Sequence, residues 1–223
     1  MKESPRSFNR KMTNFTQFIR LFEEYNFHTN LMSKNDVQKL AEKHIPDSLA
    51  IEAFFGKYKE PENLLDIGTG GGFPAIPIAI EHSNIKVFAL DSIAKKIKFI
   101  KVAKENLHLE NLTPICTRIE DFDKKEFFDV ATSRAVADLS VILEYSAPFI
   151  KQGGYFVAYK SKTADEELIL AENAIKILGL KFVEKIDVSK TEDENRCLLI
   201  FKKIKPTPKK YPRPNNAARK QPL

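Results

Sequence analysis

The sequence predicts an α/β protein: a mostly parallel seven-stranded sheet with an antiparallel final hairpin, preceded by an N-terminal helical cap. Three observations predict it. Apolar runs of strand length alternate with helix-length amphipathic segments from Asn63 onward. A glycine-rich turn, Gly68 to Gly72, joins the first such strand to the first such helix. The second strand-like run, Ile85 to Leu90, ends in an acid, Asp91.

The elements follow in order. Residues 12–27 place Met12, Phe15, Phe18, Ile19, Phe22 and Tyr25 on one helical face. A second helical stretch, 36–55, carries Val37, Leu40, Ile45, Leu49 and Phe54 and is interrupted at Pro46. These two form the cap, residues 1–60. Strands are expected at 64–67, 85–90, 112–117, 127–132, 154–159, 181–187 and 196–202, and helices near 74–82, 92–107, 138–149 and 164–178. Successive β-then-α units give parallel neighbours with helices on both faces. The last two strands are separated only by the polar stretch Ser189 to Asn195, too short for a crossover helix, so they pair antiparallel. This core spans 61–204 and leaves 205–223 as a tail.

Composition narrows the class. At 223 residues and 43% hydrophobic, the chain suits one α/β domain with modest additions. No apolar stretch approaches membrane-spanning length, and the polar, basic N-terminus lacks an apolar signal region, so a cytoplasmic protein with no membrane partner is expected. Cys116 and Cys197 sit singly in apolar runs and lack metal-ligand spacing; buried free thiols and no metal site are expected. Residues 202–223 hold eight Lys or Arg and no acid, so the positive charge belongs to the tail. With five prolines there, the tail is expected to be extended or disordered when free, an arm for nucleic acid.

The glycine turn reads as a cofactor cradle. Glycine tolerates positive φ and close backbone approach, and the helix that follows aims its first N–H groups at a ligand. A dinucleotide fingerprint would be G-x-G-x-x-G, but its third glycine position holds Phe73. The pattern is D-x-G-x-G-x-G from Asp66, which resembles motif I of class I S-adenosylmethionine (SAM) methyltransferases. Asp91, ending the second strand, is placed to bond a ribose diol, which SAM and NAD share. The missing glycine favours SAM.

Ligands of open α/β sheets bind beyond the carboxyl ends of the strands. That rule selects Gly68 to Phe73, Asp91, Arg118 to Glu120, Ser133-Arg134 and Lys160-Ser161. Ile119 and Glu120 are placed to meet an adenine edge, and Arg134 to face the transfer centre. His44, Asp47 and Ser48 have the residue types of a hydrolase triad. Their spacing puts them side by side on one helix, with neither elbow nor oxyanion hole. They read instead as a polar helix face over the cofactor cleft.

Several runs together resemble one family closely: RsmG (GidB), the small-subunit 16S rRNA guanine-N7 methyltransferases. They are Asn30 to Ser33, Lys43 to Ser48, Asp66 to Pro77, Leu90 to Ser92, Arg118 to Phe122, Phe128 to Ala135 and Arg196 to Leu198, with the basic ending Lys210 to Arg213 and Lys220 to Leu223. The resemblance implies the class I SAM-dependent, Rossmann-like fold. It implies cofactor contacts from Gly68, Phe73, Ile119, Glu120 and Arg134, with Gly70 and Asp91 as neighbours, and places Arg134, Lys160, His44 and Asp47 at the transfer site. The implied substrate is a guanine, position 527, in the 530 loop of 16S rRNA, so the expected partner is 16S rRNA or the 30S ribosomal subunit. Naked rRNA, the 30S subunit and an assembly intermediate all stay open as the form met, and nothing in the sequence argues for more than a monomer. Gly71, Ala75 and Ser161 depart from the pattern of many members, which have Pro, Gly and Gly there. Residues alone leave rivals open: a small-molecule methyltransferase, a non-catalytic SAM- and RNA-binding protein, or a dehydrogenase.

Overall fold

The computed structural model describes residues 5–189 and 195–223. Seven strands form one sheet: β1 Asn63–Ile67, β2 Lys86–Asp91, β3 Leu112–Cys116, β4 Phe128–Arg134, β5 Ile150–Lys160, β6 Leu180–Asp187 and β7 Cys197–Lys203. Their order is β3-β2-β1-β4-β5-β7-β6. Every pairing from β3 to β5 is parallel, and β7 runs antiparallel to both β5 and β6. The expected final hairpin is therefore present; part of its connection, residues 190–194, lies outside the described residues.

Alternation along the strands divides the core in two. Leu64 of β1, Val130 of β4 and Leu198 and Ile200 of β7 face one layer. Leu65 and Ile67, Ala131, and Leu199 and Phe201 face the other. A period of two on strands buried on both faces produces this split.

The first layer contains the cap. Helix α1, Pro5–Thr29, runs further than the expected 12–27. Its Phe18 and Phe22 are fully buried against Phe73 and Phe99, with ring centroids 5.0 to 6.4 Å apart. Each ring buried this way contributes about 1.5–3 kcal/mol, which secures the cap to the core. The second helical stretch is broken into α2 Lys34–Val37, a π turn at Leu40–His44, α3 Ile45–Leu49 and α4 Glu52–Phe55. Pro46 opens α3, in the first turn, where a missing N–H costs nothing. Helices α5 Ala75–Glu81 and α6 Ala94–Leu107 complete this face.

The second layer holds α7 Leu139–Ser146, α8 Ala164–Leu170 and α9 Glu172–Ile177. The tail lies on it too, which corrects the expectation of a free arm. Tyr211 and Ala218 are buried, and the chain ends in a short helix, α10 Ala217–Lys220. Arg213 forks onto the buried carboxylate of Glu144 in α7, with Nη2 2.6 Å and Nε 3.0 Å from its oxygens. Composition understated the tail because a few anchors, rather than a periodic face, hold it. Cys197 is buried as expected, but Cys116, at the end of edge strand β3, is exposed. Among the described residues no helix is long and apolar enough to cross a membrane, and no cluster of His, Cys, Asp or Glu is placed to hold a metal ion.

Candidate functional site

The glycine loop leaves β1 as the sequence requires. Gly68 sits at φ +71°, and a Cβ there would meet Val136 Cγ2 at 2.6 Å, so neither backbone nor neighbour admits a side chain. Asp91, ending β2, holds the loop in place: its Oδ2 accepts the Gly70 N–H at 3.0 Å and Lys96 Nζ at 3.3 Å. Its Oδ1 accepts the Ile93 N–H at 2.9 Å.

Beneath the loop, Asp66 is fully buried. Its Oδ2 accepts the Ala75 N–H at the start of α5 at 3.3 Å, and its Oδ1 has no hydrogen-bond partner. Burial pushes its carboxyl up to about 7, against the opposing pull of Thr69, the Ala75 N–H and Arg134. Thr69 Oγ1 and His44 Nε2 are buried without hydrogen-bond partners as well.

Two clefts open at the carboxyl ends of the strands. The first, about 320 Å³, is lined by Gly68, Asp91, Ile119 and Glu120, with Ile93, Lys96, Tyr145, Asn216 and Arg219. It pairs apolar side chains with carboxylates at its wall and fits a nucleoside bearing a ribose. Glu120 is held by Arg118, whose Nη2 lies 2.8 Å from Oε1. Burial opposes its charge, but the bonds from Arg118 and backbone keep its carboxyl below the ordinary range.

The second cleft, about 400 Å³, is lined by Asp47, Arg134, Lys160, Tyr159, Glu167 and Arg196, among others. Ala135 and Val136 belong to both clefts and form the boundary between them. Arg134 ends β4 rather than following it. Its Nη1 donates to the His44 carbonyl at 3.2 Å, and its guanidinium lies 5.3 Å from the centroid of the Phe73 ring. Burial makes its guanidinium easier to deprotonate, pushing its pKa below the usual value. Lys160 Nζ donates to Glu167 Oε2 at 2.5 Å and to the Ala137 carbonyl at 3.1 Å. Asp47 lies 3.5 Å from Arg196.

The expected site residues are thus distributed. Gly68, Asp91, Ile119 and Glu120 meet at the first cleft, with Gly70 tied to it through Asp91, while Asp47, Arg134 and Lys160 meet at the second. Phe73 lines neither: its ring turns into the cap against Phe18, Phe22 and His44. His44 touches the second cleft only through the carbonyl that holds Arg134, and burial beside Arg134 depresses its imidazole below the ordinary value. Ser48 donates to that same carbonyl at 2.7 Å, so the three residues make no nucleophilic triad. Lys96, Tyr145, Asn216 and Arg219 in the first cleft, and Glu167 and Tyr159 in the second, were not expected. The rule of strand ends reaches none of the residues that enter from helices or the tail; Tyr159, just inside β5, was within its reach.

Comparison with known proteins gives the family and the fold. Residues 11–197 match the sequence profile of rRNA small subunit methyltransferase G. The Ribosomal RNA small subunit methyltransferase G of Clostridium botulinum (strain Loch Maree / Type A3) is 38% identical over 96% of this chain and 92% of its own length. That of Clostridium beijerinckii is 40% identical over 94% of this chain and 89% of its own. Among solved structures, a SAM dependent methyltransferase from Aquifex aeolicus superposes with a TM-score of 0.58 at 16% identity, over 76% of this chain and 97% of that one. Glycine cradle, paired clefts and sequence kinship converge: this chain belongs to the rRNA small subunit methyltransferase G family.

Proposed function

We propose that this protein transfers the methyl group of SAM to N7 of a guanine in 16S rRNA, position 527 of the 530 loop. One observation carries the reading: a cleft beside the glycine loop that holds Asp91 and Glu120, and a second cleft that holds Arg134 and Lys160, share only the Ala135–Val136 wall. A methyl donor in the first and a base in the second would meet across that boundary.

SAM supplies an electrophilic methyl on a sulfonium. Guanine N7 carries an in-plane lone pair and no proton. The N7–carbon bond forms as the carbon–sulfur bond breaks, and the bonding pair leaves with sulfur. No residue need act as a general base. What the protein supplies is alignment and proximity. Gly68, Gly70, Asp91, Ile119 and Glu120 hold the nucleoside half of SAM, and Phe73 supports the loop from behind. Arg134, fixed by the His44 carbonyl and the Phe73 ring, orients the reacting groups. Asp47 and Lys160 shape the base pocket, each already held by an ionic partner.

The partner is 16S rRNA within the 30S subunit, engaged by a single chain in the cytoplasm. Exposed Lys209, Lys210 and Lys220 on the tail offer phosphate contacts that offset the few kcal/mol of unstacking the base. The test is transfer of labelled methyl from SAM to 30S subunits lacking the modification, beside tRNA and a small-molecule acceptor mixture. Label confined to 30S rRNA supports the reading; label on either alternative, or none despite bound SAM, refutes it.

A further inference from the structure

The path of the tail points to a role nearer the cofactor than the RNA. After β7, Thr207 Oγ1 donates to the Leu178 carbonyl at 2.8 Å, Tyr211 enters the core, and Arg213 locks onto Glu144. Arg213 Nη2 also donates to the Gln221 carbonyl at 2.8 Å, closing the segment on itself. Between these anchors Asn215 and Asn216 both take left-handed backbone, at φ 59° and 57°. Asparagine is the side-chain-bearing residue that visits this region most readily, and two in succession turn the chain sharply into α10.

That turn sets Asn216 and Arg219 on the wall of the first cleft, beside Ile119 and Glu120. Arg118 ties the two sides together: its Nη2 donates to Glu120 Oε1 at 2.8 Å and to Asn216 Oδ1 at 2.5 Å. Arg219 Nη2 donates to the carbonyl of Val136 at 3.1 Å, the residue against which Gly68 packs. The cleft is thus lined from the ends of β1 to β4 and the adjoining helices, and also from a segment that composition reads as an RNA arm. Asp91, the ribose-facing acid, stands in the same cleft, so the tail closes the adenosine half.

We infer that residues 211–220 form a strap that completes the adenosine half of the SAM site, with Asn216 and Arg219 as cofactor-binding residues and the Arg213–Glu144 pair as its clasp. This rests on the SAM reading proposed above. It separates two functions along one tail: exposed Lys209, Lys210 and Lys220 remain for RNA, while Asn216 and Arg219 face the cofactor.

The experiment uses the full chain and SAM binding by calorimetry, not turnover. Asn216→Gly keeps the left-handed turn while removing the side chain, and it is combined with Arg219→Ala. The double variant is expected to bind SAM about tenfold more weakly, the loss of one charge-assisted contact, while its cofactor-free form still unfolds cooperatively, at a slightly lower temperature because the bonds to Arg118 and the Val136 carbonyl are lost. In the unaltered chain, SAM is expected to slow hydrogen exchange of the amides in 215–220. An unchanged Kd in the double variant overturns the inference, as does exchange in 215–220 that SAM leaves untouched. An unaltered chain that takes up no SAM overturns the proposed function itself, and this inference with it.

Discussion

At the scale of single residues, Arg134 is the most consequential side chain. It is largely buried, has no directly bonded carboxylate among the described residues, and is held by a carbonyl and an aromatic face. Arg134→Ala is therefore expected to cut the single-turnover rate of methyl transfer by about 10²-fold or more, because orientation is lost. Arg134→Lys recovers little of this, since a point charge does not reproduce the planar fork. A near-normal rate in either variant would remove Arg134 from the site. Asp66 makes a prediction of different kind. Its folded value near 7 lies above the ordinary 3.8, so the folded state binds more protons between those limits. The group's stabilising contribution is full below about pH 4 and is lost as pH rises toward 7, at about 1.4 kcal/mol per unit. Asp66→Asn should remove that slope from urea unfolding of the cofactor-free chain, leaving the variant more stable than its parent at pH 8. Equal slopes in the two would contradict the burial argument.

At the scale of elements, strands were legible and side-chain directions in loops were not. Apolar runs bounded by turn residues gave all seven strands within a few residues: the central strands, buried on both faces, carry an unbroken apolar signal, and the half-exposed edge strands β3 and β6 were marked by their bounding turns. Strand β5 begins four residues earlier than its apolar run, at Ile150, since Gly153 and Gly154 interrupt the pattern without ending the strand. The glycine loop was legible as a cradle, but nothing periodic tells which way Phe73 points, and it points into the cap. The clasp between α7 and the tail was hidden for another reason. Glu144 reads as a polar position on an apolar helix, and only Arg213, 69 residues away, explains its burial. Arg213→Ala leaves that buried carboxylate with the residue 213 N–H as its remaining donor and no cation, and is expected to cost about 2–3 kcal/mol in unfolding free energy. Adding Glu144→Leu should recover much of the loss; a single variant as stable as the parent would show that the clasp carries no load.

At the scale of the whole molecule, the sheet brings ligand-facing residues to one edge, and the cap, the strap and the β4–α7 turn close it from three sides. Of the expected site, the Asp91 and Glu120 cleft and the Arg134 and Lys160 cleft were legible from strand ends; Asn216 and Arg219 were not, because a tail without periodicity gives no direction. RNA affinity should weaken steeply with salt through the exposed tail lysines, and replacing Lys209, Lys210 and Lys220 by Ala should lower the salt slope by about 3. An unchanged slope in filter binding would move the RNA contact elsewhere. The central claim is tested most directly by mapping the product. 30S subunits lacking the modification are incubated with this protein and isotopically labelled SAM, and the 16S rRNA is digested for nucleoside and oligonucleotide mass spectrometry. Labelled 7-methylguanosine confined to the 530 loop is the predicted result; label on another base or atom, or on no RNA at all while SAM is bound, would contradict it.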